Sequence, residues 1–278
     1  MGWLWDAVAS PVLDRLKDPD GPGPPRVWWV PTGPLASLPL HAAGHHDGTG
    51  ASLPERAVSS YTPGLRSLAA AARGAPTGPR RPLVVALSET PGAGRLGHAA
   101  AESATLRRLF PDAVELSDAE ATRERVLALL PHHSWAHFAC HGVIDPDIPS
   151  RSGLLLADHG RRPLTMADIS ELDLGRPELA YLSACETAHT GPRHADEALH
   201  LASAFQLAGY RNVVATLWRV PDAAARRFVE GVYAELAATS RPDAPLDVAG
   251  AVRRTLLTAR AEYPHLPQLW ASFVHLGG

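Results

Sequence analysis

Two cysteines, Cys140 and Cys185, are all that the 278 residues contain. That number excludes a disulfide framework and suits a reducing compartment. Lysine is scarcer still: Lys17 is the only one, so nearly all of the 26 basic residues are arginine. With abundant alanine, this is a coding bias, of the kind expected from a GC-rich bacterium. No stretch approaches the roughly 20 apolar residues of a membrane span. Charge of one sign is also missing, since the formal net charge is −3. No polybasic tail offers a surface for nucleic acid or an anionic membrane. Residues 1–16 lack a basic leader, an unbroken apolar stretch and a cleavage site. Trp3, Leu4, Val8, Val12, Leu13 and Leu16 recur there at helical spacing, with Asp6, Asp14 and Arg15 between them, which predicts an amphipathic helix. These absences together predict a cytoplasmic, soluble protein.

What is present is a regular alternation. A breaker-rich run, Lys17-Asp-Pro-Asp-Gly-Pro-Gly-Pro-Pro25, separates the first helix and linker, residues 1–25, from a domain at 26–278. Short apolar runs at 26–30, 57–61, 83–87, 113–116, 135–139, 153–156, 179–183, 212–217 and 271–276 read as strands. Helical patterns fill 64–73, 98–110, 122–130, 165–171, 197–208, 222–238 and 246–262 between them. Continuous apolar strands suit a sheet covered on both faces. The expected fold class is α/β, a doubly wound and mostly parallel sheet flanked by helices.

In such a sheet, chemistry collects on the loops that leave the carboxyl ends of the strands. His141 follows the run 135–139 and Cys185 follows 179–183, so both lie at that edge. They are 44 positions apart, which leaves room for one strand and one helix and lets the two host strands be neighbours. A thiolate is a good nucleophile, and an imidazole in reach serves first as base and then as acid. Gly142 lets a substrate carbonyl approach a backbone N–H, and the amide of Cys185 offers a second oxyanion donor. Strand ends and spacing are equally compatible with a satisfied loop histidine and a buried, inert cysteine.

The surrounding segments separate the two accounts. His137-Phe-Ala-Cys-His-Gly142 and Leu182-Ser-Ala-Cys-Glu-Thr-Ala188 resemble the two signature segments of the CHAT-domain family of caspase-like peptidases, which often follow tetratricopeptide repeats. The likeness continues through Ser152-Gly-Leu-Leu-Leu156, Asp196-Glu197, Val213-Val-Ala-Thr-Leu-Trp-Arg-Val-Pro-Asp222 and Trp270-Ala-Ser-Phe-Val274, covering about residues 26 to 278. The resemblance implies a caspase-hemoglobinase fold and cysteine endopeptidase activity on a protein or peptide substrate, with His141 as general base and Cys185 as nucleophile. It implies no cofactor and no metal. By position it also implies that Ser183 borders the first substrate subsite and that Trp218 and Arg219 wall the groove. Arg219, if turned inward, would favour an acidic P1 side chain. Asp196 is either a substrate-binding residue beside Cys185 or, with Glu197, an acidic start to the next helix. Glu186 has a similar ambiguity. The opening helix predicts an N-terminal repeat or sensor region, or an activator protein, that regulates the site. The alternative function is a catalytically silent scaffold acting by protein–protein binding. A third possibility is an acyl hydrolase acting on a small molecule.

Other features read as background. Gly92-Ala-Gly-Arg-Leu-Gly97, with Glu115 or Asp118 about 20 residues on, matches the dinucleotide fingerprint in form. Ser88-Glu-Thr-Pro91 intervenes between the strand and the first glycine, so a plain flexible loop is expected. His45, His46, His132, His133 and His137 lack the carboxylates or cysteines that would complete a metal shell. Cys140 should point to the opposite side of its strand from His141 and fill the core.

Overall fold

The segment Pro82–Ala86 shows why the sheet forms: all five residues are buried, which a strand achieves only when both faces are covered. The computed structural model describes residues 1–16, 23–71, 80–143, 145, 147–183, 197–239 and 244–278. Its strands, in chain order, are β1 (Arg26–Trp29), β2 (Val58–Tyr61), β3 (Pro82–Ala86), β4 (Val114–Ser117), β5 (Trp135–Ala139), β6 (His141–Val143), β7 (Gly153–Leu155), β8 (Leu164–Thr165), β9 (Leu179–Leu182), β10 (Asn212–Thr216) and β11 (Phe273–Gly277). An eight-stranded sheet runs β1-β2-β11-β10-β9-β5-β3-β4, and β6, β7 and β8 make a separate three-stranded sheet. Every described pairing in the large sheet is parallel except β10 with β11.

The expected α/β class is therefore correct, with one change of plan. The run at 153–156 does not join the main sheet; it pairs antiparallel with β6 and β8. A side chain on Gly153 would collide with the carbonyl of Leu164, so glycine is what permits β7 and β8 to lie this close. Moving this strand out of the main sheet leaves β5 and β9 as direct neighbours, in register from Trp135↔Leu179 to Phe138↔Leu182.

Helices cover both faces. Ala136, Phe138, Ala180, Leu182, Val213 and Ala215 pack on one side with residues from the helices Arg123–Leu129 and Glu197–Leu207. Val84, Trp135, Leu179, Tyr181 and Val214 pack on the other with Ala99–Leu109, Asp222–Thr239 and Val248–Glu262. Successive side chains of a strand point to opposite faces, so residue parity decides the face.

The opening helix is not a plain α-helix. A π-helical stretch, Trp5–Ala9, lies between α-helical turns Gly2–Leu4 and Ser10–Leu13. Leu4, Trp5, Ala9 and Leu13 face the core, whereas Trp3 is 64% exposed and Leu16 is 43% exposed. Trp3 stands opposite that buried stripe even at a regular helical period, and Leu16 lies beyond Leu13, where the helix ends, so neither joins the buried face. Among the described residues, no helix is long and apolar enough to cross a membrane.

Candidate active site

The chain leaves β5 at Ala139, passes Cys140 and turns into β6 at His141, where His141 pairs with Leu155 and Gly142 with Leu154. Cys140 is fully buried on the Phe138 side of the sheet, as parity requires, and His141 lies on the other side. His141 is only 2% exposed. Its Nε2 lies 2.5 Å from the carbonyl oxygen of Gly94. A carbonyl only accepts, so Nε2 carries the proton and donates it to that bond. In the neutral ring, the lone pair then resides on Nδ1.

Gly94 belongs to the glycine-rich segment after β3, a loop as expected, and one that reaches the histidine. The loop is closed on itself by the amide of Leu96, which donates to Ser88 O at 3.0 Å, and by a turn from Ala93 N to Thr90 O at 3.0 Å. Gly92, at φ +75°, takes the left-handed conformation that the reversal needs. The base of the loop is held by Asp118, whose Oδ1 accepts from Ser88 N at 2.8 Å and from Glu89 N at 3.0 Å.

Beside His141, the end of β9 carries Ser183, whose amide donates to Phe138 O at 2.9 Å. Its hydroxyl donates to Glu102 Oε1 at 2.9 Å. Glu102 is wholly buried on the helix Ala99–Leu109, and its Oε2 lies 2.9 Å from His137 Nε2. His137 Nδ1 is 3.1 Å from the hydroxyl of Tyr233, and Tyr181 packs its ring 5.3 Å from that of His137. Burial first, and then the adjacent Glu102 carboxylate, push the Tyr181 and Tyr233 hydroxyls well above their ordinary value, so both remain protonated. His98 lies 3.2 Å from Asp222 and 3.8 Å from Glu102, which carries the same polar cluster outward to the half-exposed Asp222.

Of the remaining candidates, Trp218 is half-buried, and its indole N–H donates to Gln268 O at 3.0 Å. Its backbone N and O both bond the hydroxyl of Ser272. Arg219 is exposed at the same edge of the sheet. Cys185, Glu186 and Asp196 lie outside the described residues. The structure thus brings together His141, Gly142 and Ser183 at adjoining strand ends. Among the histidines considered for a metal shell, His137 is taken up by Glu102 and Tyr233, His46 Nε2 by Ala42 O and His45 by Asp6.

The CHAT domain model matches residues 1–278, the whole chain. The chain belongs to the CHAT domain family. Solved structures similar to this CHAT domain include the Arg-specific cysteine proteinase gingipain R, with 11% identity and a TM-score of 0.52 over 80% of this chain and 54% of that one. The complex of Porphyromonas gingivalis RgpB pro- and mature domains is similar at 12% identity and a TM-score of 0.52, over 80% of this chain and 55% of that one. Separase in the Saccharomyces cerevisiae separase–securin complex is similar at 14% identity and a TM-score of 0.56, over 87% of this chain and 15% of that one. These likenesses show a caspase-like peptidase fold, and the chain spans about half the length of the gingipain chains and a seventh of separase. No curated protein matches the chain in sequence.

Sequence reasoning missed two parts of this CHAT domain's site. Gly94 contributes only a main-chain oxygen, which no residue type announces. Glu102 does leave a signal: it stands with Ala99, Ser103 and Leu106 at the i, i+3, i+4, i+7 positions of a buried helical face. A carboxylate on a core stripe calls for a buried partner. Ser183 is one partner, its hydroxyl donating to Glu102 Oε1.

Proposed function

We propose that this CHAT domain is a cysteine endopeptidase that cleaves a protein or peptide partner, with His141 as general base and Cys185 as nucleophile. The observation that carries the reading is the clamped imidazole: His141, buried at the end of β5, is held through Nε2 by Gly94 O at 2.5 Å. With Nε2 so engaged, Nδ1 is the nitrogen that exchanges protons. Phe138 and Leu182 are register partners, and His141 and Cys185 each follow their partner by three residues in the chain.

The reaction proceeds in two halves. The imidazole takes the thiol proton, and the Cys185 thiolate attacks the scissile carbonyl carbon to form a tetrahedral oxyanion. The amides of Gly142 and Cys185 donate to that oxygen. As the C–N bond breaks, the imidazolium passes its proton to the leaving amine. Water, deprotonated by His141, then hydrolyses the thioester and restores the thiol. Ser183, Trp218, Arg219 and Asp196 are the substrate-binding candidates. The two complexes above hold separase with securin and RgpB with its pro-domain. Control of this site by a protein partner or by a further N-terminal region is consistent with them.

The test is covalent labelling with a panel of peptide acyloxymethyl ketones varied at P1, read by intact mass and peptide mapping. The expected result is one adduct, on Cys185, that His141→Ala abolishes. If Cys185 stays unlabelled under all activating conditions while Cys185→Ala keeps the biological effect, the chain acts as a scaffold.

A further inference from the structure

Asp118 stands just after β4 at φ +41°, one of two described non-glycine residues in the left-handed region. A side chain in that conformation is strained, and such outliers point to a constraint imposed by the surroundings. The constraint here is visible. β3 and β4 are paired as far as Ala86↔Ser117, so the loops leaving them start side by side. The left-handed turn at Asp118 aims its carboxylate across at the base of the loop from β3. There Oδ1 takes both the Ser88 and Glu89 amides, at 2.8 and 3.0 Å. Ser88 is the pivot, since its own carbonyl accepts from Leu96 N at 3.0 Å. Leu96 is buried and lies two residues beyond Gly94, the carbonyl that clamps His141 Nε2.

We infer that Asp118 is a positioning residue for the catalytic histidine: through Ser88 and Leu96 it sets the place of the Gly94 carbonyl, and so the orientation and tautomer of His141. The inference rests on the proposed dyad. The only other charged side chains on the loop are Glu89 and Arg95. They face each other at 3.6 Å with about three-quarters of each exposed, so they are not what holds the loop to the sheet. An acceptor from outside the loop is needed to fix its base, and Asp118 supplies it. The fingerprint-like glycines and the acid about 20 residues on therefore work together, on a histidine.

The experiment measures the rate of Cys185 alkylation by iodoacetamide against pH, in the full chain, with peptide mapping to the site. An imidazole-paired thiolate reacts well below pH 8.5, the ordinary thiol value. Asp118→Gly removes the acceptor and relieves the backbone strain, so its thermal melt should remain near that of the wild type. Its alkylation at pH 6 should fall about 10- to 100-fold, the scale of a small misplacement of a catalytic group, with the profile moving toward that of an ordinary thiol. Asp118→Asn keeps an acceptor oxygen and tolerates the left-handed turn, and should retain most of the wild-type rate. The 15N spectrum of the His141 ring should report the Nε2–H tautomer in the wild type and Asp118→Asn, and a mixture in Asp118→Gly. A wild-type profile in Asp118→Gly, or equal losses in Asn and Gly, overturns the inference and leaves the dyad intact. An ordinary-thiol profile in the wild type overturns the dyad as well. If Asp118→Gly does not fold, Asp118→Ser, whose oxygen is one bond shorter, is read in the same way.

Discussion

The two faces of the large sheet are equally buried and chemically unlike. On one, β5, β9 and β10 present Ala136, Phe138, Ala180, Leu182, Val213 and Ala215, an apolar layer that extends to Cys140. On the other, the same strands and their neighbours present His137, Tyr181, Asn212 and His275, with Ser60 and Glu102 among their bonding partners. The difference is one of parity, since residues one apart on a strand face opposite ways. The polar face is the one that ends at Ser183 and His141. Buried polar groups there are linked in networks: Ser60 to His275 at 2.8 Å, His275 to Asn212 at 3.0 Å, and Glu102 to both His137 and Ser183. The apolar face supplies packing energy, while the polar face supplies direction, because a hydrogen bond has a preferred geometry and a methyl contact does not.

The comparison breaks most visibly at Glu102. Glu102→Ala leaves His137 and Ser183 without their shared partner, and should cost about 3–5 kcal/mol, the scale of a broken buried pair. Urea unfolding would read this, and a loss under about 1 kcal/mol would mean that the network contributes shape alone. Next comes acid. Burial lowers the His41 and His275 pKa values to about 3 each, from 6.5 in the unfolded chain. Below pH 6.5 the unfolded chain therefore takes up protons that the folded chain refuses. Stability falls from pH 6.5 toward pH 3 with a slope of up to about 1.4 kcal/mol per ring per pH unit. Urea midpoints between pH 7 and 4.5 measure that slope, and His275→Asn should make it shallower. An unchanged slope would show that His275 does not stay neutral.

On the apolar face, Phe138→Leu keeps most of the volume and should cost no more than about 1.5 kcal/mol. A larger loss would show that Phe138, its ring tilted against that of Phe205 at 5.3 Å, is as exacting as the polar side. The smallest effect belongs to Trp218→Phe, which removes the exposed bond to Gln268 O and the outer part of a half-buried ring. The thermal melt should move by no more than a few °C, since the replacement keeps an aromatic ring against the core. A shift in P1 preference during peptide labelling, with that melt unchanged, would assign Trp218 to the substrate groove.

Much of this arrangement was legible in the chain. Apolar runs of four to six residues between helical patterns specify a sheet covered on both sides, and such a sheet puts His141 at its carboxyl edge, where it lies. Strand parity alone puts Cys140 in the core, where it lies. The run at 153–156 was harder to assign, because a short apolar strand reads alike in either sheet and only the pairing of β7 with β6 decides. The opening helix differs for another reason: Trp3 stands opposite the buried stripe at a regular helical period, and Leu16 follows the last helical turn.

By itself, the sequence determined which residue types stand at each strand end and which face of the sheet each one shares, because both follow from local periodicity. The tertiary structure alone decided what those residues touch. The acceptor for His141 is a glycine carbonyl 47 positions away, the partner of Ser183 is a carboxylate 81 positions away, and the loop carrying Gly94 is held by an aspartate from the next strand. Backbone groups are the same at every residue, and a buried side chain's partner depends on how strands are ordered. Neither is written in the residue that needs the partner.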